Sequence, residues 1–598
     1  MKHLLYIDIL FVINYFVLPN LFTGEYMAYL TRKRIKGKTY YYVEECERKK
    51  GKVHRKWQKY LGSIEKIVKA VDAPIPVPAY AEVFDFGCPA AYWDTVTHLG
   101  IIPTLDSVLP KRNQGMSIGQ YLALAAINRG VKAVSKNSMW QWFQTTMLMR
   151  VFSGATKDSL SSQRFWDVMS LVPENQIASI WGTLVDSVLD RHPIDLSCAS
   201  YDGTNFYTFI GSFNTHSSLA QRGKNKQGRT NLRQINYALF CTRKDQFPLY
   251  FDVYEGNRND AKEFGSIIDK FFARFASRAI DGKGVTLVFD KGNNSKENFL
   301  PFAEDANRHY HFVASVKLDE HKEFAAIPND DPRLAPLSNP RLDQVRAWRA
   351  TKKIYGRDLT VVLTFNHKLH TAQFQSITNE INKCLVKLGE IAERLDERHC
   401  GRVTKGHVPT VDSIASQVAA VLHGQHMKKL VTTNITLHNG IPLLAFTPNT
   451  QELSQLAQTY LGKSIIITDN DSWSTEDIVL TYRSQYVVED VFKHMKDRDI
   501  GCWWPMSHWT DQKIKVHGLY CSLTLMLRSL IMKTVRESDL PISIGELHRR
   551  LQGIREVVNF YTAEDATAKP HSHSVLTRMD DTQKRLFDLF HMKEYAPC

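Results

Sequence analysis

The 598-residue chain contains no C-x-x-C pair, and its nine cysteines (46, 88, 198, 241, 384, 400, 502, 521 and 598) are odd in number and widely scattered. A disulfide framework is therefore excluded as the organising device, and a reducing cytoplasm fits best. Cys502, His508, His517 and Cys521 are close in sequence, but their spacing matches no standard zinc pattern and Cys521 falls within an apolar helix. Beyond the first 26 residues no stretch approaches 18 uninterrupted apolar residues, so the body of the chain does not read as a membrane protein. No internal repeat or low-complexity tract stands out. Acidic residues are missing altogether between Gly203 and Lys244, where seven arginines and lysines occur.

What is present suits a globular protein of about three to four domains, given the length and a 43% hydrophobic content. The first residues, "LLYIDILFVINYFVLPNLF", are nearly long enough to cross a bilayer but carry Asp8, Asn14 and Pro19 and are followed by no A-x-A-like cleavage site. Residues 1–26 are read as an apolar upstream extension before Met27, with a membrane anchor as the alternative. The formal charge of +14 is concentrated: Thr31 to Lys59 holds 12 lysines and arginines against three glutamates. Such a patch suits a polyanion, because neutralising phosphates releases counterions. Residues 27–74 read as a basic β-hairpin and linker, "KTYYYVEECERKKGKVHRKWQKYLG" followed by the proline-rich "DAPIPVPAYAEV".

Residues 75–195 show helical periodicity, as in "SIGQYLALAAINRG", and read as a DNA-binding region carrying Asn128, Arg129, Lys136, Trp140, Trp142 and Arg164. From Leu196 the rhythm changes to β-β-β-α-β-α-β. That order predicts an α/β fold, a mixed sheet of ribonuclease H-like type, over 196–320. Residues 321–464 read as an inserted α+β domain. The core resumes over 465–535 with the strand "KSIIITDN" and one helix, "STEDIVLTYRSQYVVEDVFKHMKDRD", for which Ser474 is the N-cap. Residues 536–598 read as a helical tail.

Three acids stand out. Asp202 lies in the first strand, followed by Gly203 and Thr204. Asp290 closes the apolar strand "GVTLVFD" just before Lys291 and Gly292. Glu489 lies on the late helix, where Tyr482, Glu489 and Lys496 are spaced seven apart and share a face, with Gln485 and Lys493 one turn from Glu489. Acids meeting in a poorly solvated pocket repel one another unless cations are shared among them. In a ribonuclease H-like sheet the first and fourth strands are neighbours, which brings Asp202 and Asp290 together, and Gly292 would leave room beside them.

The order Asp202, Asp290, Glu489 resembles the DDE triad of bacterial insertion-sequence transposases. The spacing Tyr482-x2-Gln485-x3-Glu489-x6-Lys496 is similar to the Tyr-x2-Arg-x3-Glu-x6-Lys motif of the insertion-sequence-four superfamily. Gln485 stands where that family has arginine. "YDGTNF", "FDKGNNSKENF" and the large insertion before the glutamate resemble its sixteen-thirty-four branch. The resemblance implies a cytoplasmic, nucleoid-associated enzyme that takes two Mg2+ ions, or Mn2+ in their place, on Asp202, Asp290 and Glu489. It implies recognition of inverted-repeat ends, nicking and strand transfer without a covalent intermediate, with double-stranded DNA as partner and a homodimer in the end-joined complex. Tyr482, Gln485, Lys493 and Lys496 would contact DNA. So would the acid-free loop "RGKNKQGRTNLRQ", with Arg222, Lys224, Lys226, Arg229 and Arg233. A silent transposase-derived DNA-binding protein, or a nuclease of this fold without strand transfer, are the alternatives.

Overall fold

The computed structural model describes residues 28–49, 52–72, 77–152, 154–225, 228–275, 284–304, 310–561 and 571–597. The apolar extension 1–26 and Lys226 lie outside them. Among the described residues no helix is long and apolar enough to cross a membrane.

The chain divides into two compact units, one of residues 1–82 with 558–574 and one of residues 83–557 with 575–598. In the first, β1 (Tyr29–Ile35), β2 (Lys38–Lys49) and β3 (Lys52–Gly62) form an antiparallel sheet of order β1-β2-β3. The basic hairpin is thus three-stranded, because "YLTRKRI" also alternates along its length and pairs with β2. Buried Glu44 and Glu45 pair with Arg55 at 2.8 Å and Lys56 at 2.9 Å.

The strand β4 (Tyr80–Asp85) precedes a set of helices that includes Gly87–His98, Ile118–Val131 and Ile177–Leu189. The second unit is built on a nine-stranded mixed sheet. Its strands are β5 (Cys198–Thr208), β6 (Arg233–Thr242), β7 (Pro248–Glu255), β8 (Val285–Phe289), β9 (Tyr310–Val316), β10 (Ala335–Pro336), β11 (Val345–Ile354), β12 (Arg357–Asn366) and β15 (Lys463–Thr468), in the order β10-β11-β12-β15-β9-β8-β5-β6-β7. β5, β6 and β7 are antiparallel neighbours, whereas β8 lies on the other side of β5 and runs parallel to it and to β9. This is the ribonuclease H-like order. All five residues of β8 are buried, as a strand covered on both faces requires.

Segment 321–464, read as wholly inserted, divides in the structure. β11 and β12 belong to the main sheet, β12 pairing antiparallel with β15. The 33-residue helix His367–His399, with β13 (Val431–His438) and β14 (Ile441–Pro448), surrounds a separate core in which Cys384, Leu388, Ile391 and Leu430 are buried. The tail also departs from an all-helical reading: β16 (Arg555–Tyr561) and β17 (His571–Leu576) form a small sheet of order β17-β16-β4.

The helices of 75–195 share one core with the main sheet. The helix Asp511–Glu537 joins them: Thr524 donates to the Ala126 carbonyl at 3.0 Å, and the Tyr237 and Ser522 hydroxyls are 2.6 Å apart. Gly518 allows that helix close approach, since a Cβ there would come within 2.9 Å of Val253 Cγ2. Several side chains considered for DNA docking are therefore internal. Asn128 and Arg129 are buried, with Arg129 Nη2 donating to the Pro505 carbonyl at 2.8 Å. The Lys136 ammonium sits 4.5 Å above the Tyr520 ring, and burial holds its pKa well below the lysine range. Trp142 is likewise buried. Covering the sheet required apolar helices, and these polar groups were enclosed with them.

Candidate active site

β5 and β8 run parallel with Cys198 level with Thr286, Ala199 with Leu287 and Ser200 with Val288. Continued for two residues, the same register sets Asp202 beside Asp290, whose backbone is still extended at φ −78° and ψ 154°. Residues level on neighbouring strands present their side chains on the same face of the sheet. Both acids are partly buried, and Asp202 interrupts a run of otherwise buried residues. Asp202 Oδ1 accepts the Gly203 N–H at 2.7 Å. Beyond Asp290 the chain turns through Lys291–Asn293, where a side chain grown on Gly292 would meet only Asp290 Oδ2, at 3.8 Å. Space is therefore open beside that carboxylate.

Glu489 occupies the first turn of the helix Tyr486–Lys496 and is exposed, while Val488, Phe492 and Met495 on the neighbouring stripe are buried. Lys496 Nζ donates to Thr204 Oγ1 at 2.5 Å and lies 5.2 Å above the Phe206 ring. At the other end of the helix, Val487 shares a cleft with Cys198. The helix therefore runs along β5, and Glu489 falls between its two points of contact.

The single helix predicted over Ser474–Asp499 is two, Thr475–Arg483 and Tyr486–Lys496. The Gln485, Val487 and Val488 amides bond three residues back rather than four, which tightens the chain into a 3-10 turn, and the buried Ser484 hydroxyl donates to the Thr481 carbonyl. Tyr482 lies in the last turn of the first helix, and its hydroxyl donates to Ser315 Oγ on β9 at 2.8 Å. Burial raises the Tyr482 pKa, with smaller contributions from the negative charges of Asp290 and Glu489. The phenol thus lies within electrostatic reach of both acids.

Among the described residues the three carboxylates are not drawn so close that one oxygen from each lies within 4.8 Å of the others. The donors are hard oxygens, which suits Mg2+ or Mn2+.

Of the DNA-contact candidates, Gln485 is half-buried at the start of the second helix and Lys493 is exposed. In the acid-free loop, Arg222 reaches Ser212 Oγ at 3.2 Å and Arg229 lies 5.7 Å above the Tyr207 ring. Arg233 donates to the carbonyls of Ser212 at 2.6 Å and Asn214 at 3.0 Å. The Lys224 carbonyl accepts from Asn205 at 3.2 Å, tying the loop to β5. Elsewhere, Cys521 donates to the Cys502 carbonyl at 3.2 Å, and His517 Nε2 lies 2.9 Å from the Trp503 carbonyl; both are enclosed in the core.

Sequence reasoning did not find a cleft of about 880 Å3 lined by Arg243, Lys244, Arg341 and Arg483, with Asp195 opposing them. None of the four cations forms an ion pair among the described residues. Arg243 and Lys244 fall at the edge of the acid-free stretch, but Arg341 and Arg483 arrive from separate segments, which no local pattern signals.

The chain matches the model of the Transposase DDE domain over residues 197–525. No curated protein matches it. Among solved structures it is similar to a piggyBac transposase in a synaptic complex with hairpin DNA, at 10% identity and a TM-score of 0.33 over 87% of this chain and 88% of that one, too distant to carry any residue across. The matched span covers more than half of the chain and includes Asp202, Asp290 and Glu489, and the chain belongs to the DDE transposase family.

Proposed function

We propose that this transposase binds the inverted-repeat ends of its own insertion sequence, cuts them and joins the freed ends to target DNA. The supporting observation is the parallel pairing of β5 with β8 from Cys198–Thr286 to Ser200–Val288, which extended by two residues brings Asp202 beside Asp290, with the Glu489 helix fastened along β5 by Lys496. Asp202, Asp290 and Glu489 would hold two divalent ions, which when bound supply an activated water or 3′-hydroxyl and stabilise the departing oxygen.

The remaining roles belong to the chain itself. Lys496 and the buried Val488, Phe492 and Met495 fix the height of Glu489 over the sheet. Tyr482, bonded to Ser315, closes one wall beside Asp290. Arg222, Lys224, Lys226, Arg229 and Lys493 hold the phosphate backbone, and Arg233 shapes the loop that presents them. The Tyr482, Gln485, Glu489 and Lys496 spacing supports membership of the insertion-sequence-four superfamily, and the segment between β12 and β15 supports its sixteen-thirty-four branch. Joining two ends favours a homodimer acting at the nucleoid in the cytoplasm.

The test is incubation of purified protein with a labelled DNA end and Mg2+ or Mn2+, followed by a strand-transfer assay. Nicking with joining is the expected result. Nicking without joining would reduce the reading to a nuclease, and binding without nicking to a silent DNA-binding protein.

A further inference from the structure

Away from the carboxylates of the sheet, the helix Gly87–His98 and the end of the chain bring together a different donor set. Asp94 and His98 are one helical turn apart, and His591 follows the helix Asp581–Leu589. His98 Nδ1 lies 3.1 Å from Asp94 Oδ1, and His591 Nδ1 lies 3.4 Å from Asp94 Oδ2. One ligand atom from each of the three residues lies within 4.8 Å of the other two, a condition met by no other group of three among the described residues. The Tyr595 hydroxyl is 3.0 Å from Asp94 Oδ1.

These separations suit a shared ion. Zinc bonds of ~2.0–2.2 Å set the edges of a tetrahedron at about 3.4 Å, which the His591–Asp94 separation of 3.4 Å matches and the His98–Asp94 separation of 3.1 Å approaches, whereas 3.4 Å is long for an N–H···O bond. The imidazoles have ring centroids 4.8 Å apart at 33°, so two protonated rings would repel each other over a single carboxylate. A divalent cation instead accepts the lone pairs of two neutral rings. The positions are held from below: the Asp94 side chain is only 6% exposed, and Phe590 and Met592 on either side of His591 are buried in the main core. His591 itself is left-handed, at φ 46°, which costs a non-glycine residue energy and turns its ring toward Asp94.

We propose that Asp94, His98 and His591 bind one divalent cation of the zinc class, with Tyr595 or a water completing its shell, and that this ion pins the end of the chain to the helix Gly87–His98. Imidazole donors separate this site from the all-oxygen set at Asp202, Asp290 and Glu489, which favours harder ions. The competing arrangement is a hydrogen-bonded pin without metal, in which His98 Nδ1 donates to the Asp94 carbonyl 3.0 Å away.

The test uses the full chain carrying Asp290→Ala and Glu489→Ala, so that metal at the sheet does not contribute. Zn2+ affinity is measured by competition with a chromophoric chelator, and Co2+ substitution is followed by its visible spectrum. The expected result is one tight Zn2+ per chain and a tetrahedral Co2+ spectrum, with affinity falling at least about 100-fold in His98→Ala and in His591→Asn. Asn tolerates the left-handed backbone, so the second variant keeps the fold if the first does not. Chelation should lower the Tm of the parent and leave that of His591→Asn unchanged. Zn2+ affinity unaffected by both substitutions, or a Tm indifferent to chelator, overturns the proposal in favour of the metal-free pin.

Discussion

Lys496 donates its hydrogen bond to Thr204, two residues beyond Asp202 on the same strand, so one contact ties the Glu489 helix to the strand that carries the first acid. Thr204→Val keeps the shape and removes the acceptor. A charge-assisted bond of this kind contributes about 1.5–3 kcal/mol at most, and Lys496 is partly exposed, so a loss of about 1 kcal/mol in unfolding free energy is expected. The effect on chemistry should be larger, because small misplacements of a reacting group can cost about 100-fold. End cleavage should fall on the order of 10- to 100-fold while gel-shift affinity stays within about twofold. Equal losses in binding and cleavage would mean that the contact serves DNA rather than Glu489.

Asp290→Asn and Glu489→Gln should each abolish cleavage while leaving end binding intact. Their effect on stability separates a metal site from three isolated acids. Without divalent ions, removing one of several mutually repelling carboxylates should leave Tm unchanged or raise it. With Mg2+, the wild type should gain stability as ligand concentration exceeds Kd, and the variants should gain less. A variant stabilised by Mg2+ as strongly as the wild type would remove its residue from the metal-binding set.

The acid pair was legible in the sequence because its causes are local: a buried apolar run ending in Asp290, a first strand broken by Asp202, and an element order that makes those strands neighbours. The helical neighbourhood of Glu489 and Lys496 was legible from their spacing, whereas Tyr482 lies on a separate helix. The 3-10 turn at Ser484–Gln485 was not, since the apolar periodicity continues through it and the tightening comes from hydrogen bonds that Ser484 makes with the preceding turn. The place of β11 and β12 was hidden for another reason. The partner of β12, β15, lies about a hundred residues further on, beyond a segment with its own core. Arg129 showed the same limit, for the carbonyls of Trp503 and Pro505 that accept from its Nη atoms lie more than 370 residues away along the chain.

The acid-free loop predicts a salt dependence that differs residue by residue. Every phosphate left without its cation should reduce the slope of log K against log salt by about 0.9 on duplex DNA. Arg222→Ala and Lys224→Ala should each lower the slope by about that amount at unchanged Tm. Arg233 is engaged with the carbonyls of Ser212 and Asn214, so Arg233→Ala should instead increase proteolytic cutting of the loop. Binding isotherms from about 50 to 200 mM salt decide the matter, and a slope untouched by Arg222→Ala and Lys224→Ala places the DNA elsewhere.

Two core histidines should govern acid stability. Burial, aided by the nearby Lys136 and Arg129 charges, depresses His508 to about 3, and burial holds His517 well below its ordinary range. A histidine in the unfolded chain titrates near 6.5. Below that pH the unfolded state binds protons that the folded state refuses, so stability falls as the pH drops from about 6.5 toward 3. Each such group contributes roughly 1.4 kcal/mol per pH unit over that window, and neither contributes a slope above it. His508→Gln should lower Tm at neutral pH, since His508 Nε2 lies 3.3 Å from the Tyr520 hydroxyl, yet it should flatten the decline between about pH 6 and 4. Calorimetric Tm values across that range are the measurement. If the slope is unchanged in His508→Gln, the acid sensitivity lies in other groups, with His517 the next to substitute.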